Sequence, residues 1–271
     1  MKPTIFQTIL CAVRFVLLGL GGFGGVCAAL AENPVQEGKP FTLTALGLTL
    51  VPIPAGSFTM GSPVSEIGHR PDEAAHGVTL TKSFWLGKTP VTQAQYESVM
   101  GRNPARFKGA DFPVESISWE EAMTFCRKLT ERERAAGRLP AGLVYTLPTE
   151  AQREYACRAD TGGRYAGELD AIAWYSGNSD EQAHAVAQKQ PNAWGLYDMQ
   201  GNIWEWCLDW YGNYPAGPVT DPTGPAQGDS RVYRGGAWFH SADLCRSAYR
   251  YKLAPDGTGS LLGFRIALSR G

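Results

Sequence analysis

Hydrophobic and polar residues alternate in short runs through most of the chain, and Pro or Gly interrupts nearly every run. The stretches TLTALGLTLVPIPAGSFTMG (42–61) and VTLTKSFWLG (78–87) show this pattern most clearly. Short alternating runs bounded by turn residues predict short β-strands. The last run, LLGFRIAL (261–268), is more uniformly apolar and predicts a buried closing strand.

Two stretches in the first half of the chain have the spacing of helices. In VTQAQYESVMG, after Pro90, Thr92 is the expected N-cap and Gly101 the expected stop. The second helix is expected to begin after Ser118, with Glu121 as the partner in a capping box, and to run to about residue 136.

A third helix is expected in LPTEAQREYACRA, with Thr149 as N-cap and Gln152 at the partner position. From residue 160 onward the pattern predicts mostly loops and short strands. No repeat or linker interrupts the sequence, so a single domain is expected.

The first 31 residues have the pattern of a signal peptide. Lys2 and Arg14 are the only charged residues there, and an apolar, Gly-rich run ends in the A-x-A pattern at 29–31. An uncleaved anchor helix is the alternative, but the glycines and the small residues at the end favour cleavage before Glu32. The predicted organisation is a signal peptide (1–31), a lead-in (32–47) and one domain (48–271), in a periplasmic or secreted protein.

The composition of the chain excludes several classes of function from what we expect. Without Lys2 and Arg14 the exported chain has 23 basic and 26 acidic residues, and no basic stripe, so a nucleic-acid partner is not expected. No second apolar run is long enough to span a bilayer, so no membrane association is expected after cleavage. The high content of Gly (32), Pro (18) and Trp (8) suits a chain with many turns and an aromatic core.

Four cysteines remain in the exported part of the chain: Cys126, Cys157, Cys207 and Cys245. Export permits disulfides, and an even number of cysteines is consistent with two of them. Four cysteines allow three pairings, and spacing alone does not choose among them.

Seven stretches, taken in order, resemble the formylglycine-generating enzyme (sulfatase-modifying factor) family over roughly residues 48–269. They are GSFTMGS (56–62), KTPVTQAQY (88–96), FPVESISWEEAMTFCRKL (112–129), YTLPTEAQREYACRA (145–159), NAWGLYDMQGNIWEWCLDWYG (192–212), RVYRGGAW (231–238) and LGFRIAL (262–268). The resemblance implies a single α+β domain of C-type-lectin-like topology with little regular secondary structure.

The same resemblance raises a question about activity. In the family's oxidases, RGGS precedes two cysteines that bind copper and, with dioxygen, convert a cysteine in a CxPxR motif into formylglycine. The matching positions here are His240 and Cys245, and Ala237 replaces the serine. Copper(I) prefers a pair of soft thiolates, so copper binding and formylglycine generation are not expected.

Three residues near RGG are candidate site residues on this resemblance. His240 is the candidate acid–base or ligand group, against the alternative of an inert loop histidine. Trp238 is the candidate for shaping a substrate groove. Cys245 is either a surviving ligand or redox thiol, or half of a disulfide. Because both 204–210 and 234–250 form the family's active face, Cys207–Cys245 is the expected pair, which leaves Cys126–Cys157 as the second.

The resemblance also implies a structural calcium site in DMQGNIWEW. Asp198, Glu205 and the carbonyl groups of Gly201 and Ile203 match oxygen ligands in the family, and Ca²⁺ prefers oxygen ligands. The alternative is that Asp198 stabilises a turn while Glu205 pairs with an arginine.

Two functions follow from this sequence. The first is an exported maturation or tailoring protein, an oxidoreductase acting on a peptide-like substrate, as do periplasmic relatives required for siderophore chromophore maturation. The second is a non-catalytic, calcium-stabilised module that holds a peptide, a glycan or a partner protein. A monomer is expected in both cases.

Overall fold

We describe residues 35–270 from a computed structural model; the predicted signal peptide (1–31) and its cleavage site lie outside the described residues. Helices are few and short. They are α1 (Gln93–Met100), α2 (Trp119–Ala135), α3 (Glu150–Arg158) and the single turn α4 (Leu169–Ile172). Long loops, some with 3₁₀ turns, connect the regular elements, as the content of Gly and Pro predicts.

Each of the three predicted helices begins at the predicted cap. The side chains of Thr92, Ser118 and Thr149 each accept a hydrogen bond from the backbone N–H three residues on. All three helix starts are complete capping boxes, formed with Gln95, Glu121 and Gln152 respectively. The first helix also stops where expected, because Gly101 adopts the left-handed conformation.

The strands form three sheets. Within the described range the strands are β1 (Phe41–Leu43), β2 (Leu48–Ile53), β3 (Gly56–Met60), β4 (His76–Leu80), β5 (Phe84–Gly87), β6 (Leu143–Thr146), β7 (Trp204–Trp210), β8 (Val219–Thr220), β9 (Arg231–Arg234), β10 (Arg250–Leu253), β11 (Leu262–Gly263) and β12 (Ala267–Arg270). The sheet orders are β1-β2-β5-β12-β6, β10-β9-β7-β11 and β3-β4-β8. The second sheet contains both the Trp-rich stretch and the RGG stretch, so it positions the candidate site.

Two details differ from the sequence-based expectation. The predicted lead-in (32–47) contains β1, which pairs with β2, so the sheet begins before residue 48. The predicted closing strand at 261–268 is two strands: β11 pairs parallel with β7, and β12 pairs with β5 and β6. Arg265 lies between β11 and β12 and is fully buried, because its guanidinium group meets buried acceptors.

Two groups of buried apolar side chains form the core. One packs α1 and α2 against β7 and β12, and includes Trp204, Trp206 and Phe264. The other packs α3 against β3, β4 and β5, and includes Tyr155 and Met199. Within residues 35–270, no helix has the length and apolar character needed to cross a membrane. The arrangement is an α+β domain, as the sequence predicts.

Candidate functional site

The RGG turn places the loop at 235–245 against Trp204, the first residue of β7. Gly235 and Gly236 have φ of 107° and 79°, in the region that favours glycine. A Cβ on Gly236 would lie 2.5 Å from the Cys245 sulfur atom, so this glycine is also needed for close approach. The two glycines are therefore needed for the backbone geometry of this turn, which sets the position of His240.

The His240 ring is half-buried and is held by Trp204. The Trp204 indole N–H donates a hydrogen bond to Nδ1 of His240 at 3.1 Å, and the two rings meet edge to face at 5.5 Å. Burial lowers the pKa of His240 below its usual value of 6.5, so the ring is neutral at pH 7.

This hydrogen bond determines the tautomer. An indole nitrogen only donates, so Nδ1 of His240 is the acceptor and the ring proton is on Nε2. Nδ1 is engaged, and Nε2 as an N–H cannot coordinate a metal or accept a proton. No hydrogen bond to Nε2 is found among residues 35–270. In this geometry His240 is a hydrogen-bond donor rather than a metal ligand or a general base.

A set of aromatic side chains surrounds this histidine; we call it the aromatic wall. Trp204 contacts Tyr233 at 5.2 Å and Tyr249 at 5.8 Å between ring centroids, and Tyr251 stacks on Tyr249 at 6.5 Å. Tyr251 is 46% exposed, which is unusual for a side chain of this size. The Arg70 guanidinium lies over both Tyr249 and Tyr251, at 5.1 and 5.9 Å. Trp204 and Tyr249 are buried, so Tyr251 is the exposed ring of the wall, and the Arg70–Asp72 ion pair lies at its edge.

Trp238 occupies a different position from the one expected. Only 6% of its surface is exposed, and its ring packs edge to face against Phe107 and Phe239. Its backbone N–H donates to the carbonyl group of Asn202 and its own carbonyl accepts from Ser179. Trp238 therefore supports the loop, while the exposed aromatic next to His240 is Phe239, at 60% exposure.

The Cys245 thiol does not fit a role as a reactive or ligating thiolate. The residue is fully buried, and burial raises the pKa of its thiol to about 12, against a smaller lowering by the Gly201 amide. The thiol is therefore protonated at neutral pH. A copper ion at the His240–Cys245 pair would have to displace the thiol proton and the Trp204 hydrogen bond to Nδ1, and the pair offers one soft thiolate where copper(I) prefers two.

Both predicted disulfides, Cys207–Cys245 and Cys126–Cys157, are wrong for this structure. All four cysteines are buried free thiols. Cys126 packs with α1 and α2 in the first core group, whereas Cys157 packs in the second group. Cys207 lies on β7, where burial raises the pKa of its thiol, while Cys245 lies beside Gly236. Each cysteine fills a core position instead.

The predicted calcium ligands do not fit a calcium ion either, because Glu205 is saturated by arginine. Arg265 donates from Nε and NH2 to both Glu205 carboxylate oxygens at 2.7–2.9 Å, and Arg153 donates from Nε at 3.1 Å. All three side chains are buried. Two guanidinium groups already neutralise this carboxylate, and a divalent cation beside them would be repelled. This is the alternative to calcium that the sequence left open.

The other predicted calcium ligands stabilise a turn. Asp198 Oδ2 accepts from the Ala187 N–H at 2.8 Å and Oδ1 accepts from the Asn202 amide at 3.3 Å. Burial raises the pKa of Asp198 above its ordinary value. Gly201 has φ of 75°. Ile203, the residue directly before β7, is fully buried. Among the residues the structure covers, no group of three or more His, Cys, Asp or Glu side chains is placed to hold a metal.

Beneath the site lies a buried ionic network that the sequence pattern does not indicate. The helix α3 supplies four charged side chains on one side: Glu150, Arg153, Glu154 and Arg158. Their partners come from β7, β9 and β10, and Arg158 pairs with Glu154 within α3. Arg265, before β12, joins the network through Glu205. Arg234 pairs with Glu154, and Arg246 pairs with Glu73. The one feature of the sequence that indicated this network was the recurrence of charged residues three and four positions apart along α3.

The remaining described histidines, His69, His76 and His184, each contact a specific partner. His69 shares a hydrogen bond of 2.8 Å with Ser62, and His184 stacks on Trp174 at 3.8 Å. His76 lies 4.6 Å from Tyr214. None of them adds a group to the His240 site.

The whole folded region matches one known family. Residues 39–270 match the family model described as the sulfatase-modifying factor enzyme 1-like domain. The chain belongs to this family. It is 35% identical to the formylglycine-generating enzyme of Streptomyces coelicolor over 224 residues, covering 73% of this chain and 64% of that enzyme.

Two other members of the family differ in name from that enzyme. The chain is 30% identical to chaperone protein LppX of Paenibacillus barcinonensis over 243 residues, covering 71% of this chain and 82% of that one. The structure of PvdO from Pseudomonas aeruginosa has a TM-score of 0.77 at 27% identity, covering 87% of this chain and 99% of that chain. The family therefore accommodates differently named proteins, and function must be argued from the site.

Proposed function

We propose that this chain is an exported maturation protein that acts oxidatively on a peptide-like substrate, which the aromatic wall and His240 bind together. The observation that carries the proposal is the Trp204–His240 hydrogen bond, which fixes a neutral imidazole with its N–H on Nε2. A fixed neutral donor beside a half-exposed aromatic surface is suited to bind an oxygen atom of a substrate and to stabilise negative charge that develops on it.

The aromatic wall defines the substrate that fits. Flat groups stack on exposed aromatic rings, and Tyr251 and Phe239 offer such rings on the solvent side of the loop. Arg70 adds a positive charge over two of the wall's rings and also pairs with Asp72 at 3.1 Å. A peptide-like molecule with an oxygen-bearing ring, such as a siderophore chromophore precursor, offers a flat ring that stacks on the wall and an oxygen atom that accepts from His240.

The oxidation is written with dioxygen as the acceptor. The substrate loses two electrons and two protons, and dioxygen takes both to become hydrogen peroxide. His240 donates its Nε2 hydrogen bond to the substrate oxygen throughout and is not consumed. Because Cys245 is a protonated, buried thiol, no thiolate takes part in this scheme.

The test is a comparison of culture extracts by mass spectrometry. A deletion strain complemented with the wild-type chain is expected to contain a product that is two hydrogen masses lighter than a precursor that accumulates with His240→Ala. Equal extracts from the two complemented strains would contradict the proposal. Fractionation of the same cells tests export, with an N-terminus at Glu32 on the exported chain as the expected result.

A second function is favoured by one observation, the exposed aromatic pair Phe239 and Tyr251. Exposed aromatic side chains are enriched where proteins bind partners, so the wall also suits an accessory module that holds a peptide, a glycan or a partner protein without chemistry. The variants His240→Gln and His240→Ala distinguish the two functions. A binding surface keeps its function in both variants, whereas a catalytic donor keeps it only in His240→Gln.

A further inference from the structure

A second site lies away from His240, in a cavity of about 370 Å³. The start of α3, the end of β7 and the loops at 212–215 and 222–225 enclose it, and Val219 of β8 closes one side. No residue of the aromatic wall lines it. A cavity of this volume is in the range that holds small molecules.

Asp209 is the polar group that distinguishes this cavity. The residue is 4% exposed, and its Oδ2 accepts the backbone N–H of Glu150 at 2.8 Å. No ion pair to Asp209 is found in the part of the chain that the structure describes. Burial, and after it the charge of Glu150, raises the pKa of Asp209 to about 7. A buried carboxylate without a cation is costly, and a bound cation would relieve that cost.

The neighbouring charges are already paired with each other. Glu150 accepts from Arg250 at 2.7 and 2.6 Å and from the Tyr214 hydroxyl at 3.0 Å, with Arg234 at 3.4 Å.

Arg231, which lies opposite Trp210 on β9, is held in another way. It lies over the rings of Trp119 and Trp210 at 3.7 and 3.4 Å instead of pairing with Asp209. Asp209 is therefore the carboxylate of the cavity wall whose charge remains uncompensated.

The rest of the lining is largely apolar. Met60, Trp210 and Val219 contribute side chains, and three prolines of the loops complete the wall. His76 also lines the cavity, and its ring is tilted against that of Tyr214 at 4.6 Å. A ligand that fits has an apolar body and one positive end.

We propose that this cavity binds a small organic cation, a primary amine or guanidine on a short apolar chain, whose positive end pairs with Asp209. The apolar part would lie against Val219 and Trp210, where its burial contributes to affinity. The inference is independent of the chemistry at His240, since the two sites share no residue.

The test uses the purified exported chain and titration calorimetry with n-pentylamine, with n-pentanol as the uncharged probe of similar shape. At pH 8 the wild-type chain is expected to bind the amine at least about tenfold more tightly than the alcohol, because a charge pair in a buried site adds to the apolar contact. Asp209→Asn should lose this preference. Asp229→Asn is the matched control, because Asp229 is exposed and does not line the cavity.

A second variant protects the test against loss of folding. Thr223 is exposed at the rim of the cavity, so Thr223→Trp is expected to fill the entrance without disturbing the core. It should weaken binding of both probes, while its unfolding temperature stays that of the wild type. Amine binding that survives in both Asp209→Asn and Thr223→Trp would overturn the proposal, as would no detectable binding at millimolar amine.

The pH dependence gives an independent readout. Between pH 8 and pH 5.5 amine affinity should fall roughly 30-fold, because a carboxyl with a pKa of about 7 is largely protonated at the lower pH. His76 lines the same cavity, so the fall must persist in His76→Gln. A fall that vanishes in His76→Gln, or equal affinity at both pH values, would contradict an Asp209 ion pair.

Discussion

The indole N–H of Trp204 donates to Nδ1 of His240, and this bond joins two residues that are 36 positions apart in the chain. Trp204 begins β7 and His240 lies in the loop after the RGG turn, so the contact depends on the pairing of β7 with β9. It turns a loop histidine into a fixed neutral donor. The proposed activity depends on this relationship.

Replacing Trp204 with phenylalanine is expected to raise the pKa of His240. A hydrogen bond to Nδ1 is available only to the neutral ring, so its loss favours protonation. The measurement is an NMR titration of the histidine C–H signals, assigned with His240→Ala. His184, which stacks on Trp174, serves as the internal control, and its signals should have the same positions in both proteins. An unchanged or lower pKa for His240 would show that Trp204 does not hold Nδ1.

Replacing Glu205 with glutamine is expected to cost about 3–5 kcal/mol of unfolding free energy. The change leaves Arg153 and Arg265 buried without a counter-charge, which is far more costly than losing an exposed pair. Denaturant unfolding measures it. The control is Glu131→Gln, since the Arg127–Glu131 pair is exposed and contributes less than about 1 kcal/mol. If Glu205→Gln were as stable as the control, Glu205 would not neutralise the two buried arginines in the way the structure shows.

Calcium is expected to have no effect on this chain. Because Glu205 is neutralised by two arginines, addition of EDTA or of millimolar calcium should leave the unfolding temperature unchanged. Differential scanning calorimetry checks this directly. A rise in unfolding temperature with calcium that is absent in Glu205→Gln would restore the calcium site.

Stability should fall as pH rises toward neutrality because of Asp209. Its pKa is about 7 in the folded chain, against an ordinary value of 3.8, so between these values the folded chain binds more protons than the unfolded chain. The contribution of Asp209 to the unfolding free energy is therefore fully present below about pH 4. It is lost as the pH rises to 7 and amounts to a few kcal/mol. Asp209→Asn should thus gain stability over the wild type between pH 5 and pH 8. A stability difference that does not change with pH would contradict the raised pKa.

The parts of the fold that sequence predicts well are those set by neighbouring residues. Thr92, Ser118 and Thr149 each cap a helix with a partner three residues away, and all three were identified. The positive φ of Gly235 and Gly236 is likewise a local property. Such features are encoded within one turn of chain, so the pattern alone reveals them.

The site depends on contacts between distant residues, and there the sequence is less informative. Glu205 was expected to bind calcium, with arginine pairing as the alternative, because its partners Arg153 and Arg265 lie 52 and 60 positions away. Trp238 was assigned to a groove because aromatic residues have no burial pattern in an irregular loop, and it proved to be buried. The disulfides failed for the same reason, since spacing does not show which cysteines face each other.

The most direct test uses the precursor isolated from the strain carrying His240→Ala. The wild-type chain, incubated with this precursor and dioxygen, is expected to remove two hydrogens per molecule and to form one hydrogen peroxide, as measured by mass spectrometry and a peroxide assay. His240→Ala should be inactive, and His240→Gln should be partly active, because a glutamine amide can accept from Trp204 and still donate to the substrate. An unchanged precursor with the wild-type chain, or equal activity of the wild type and His240→Ala, would contradict the account.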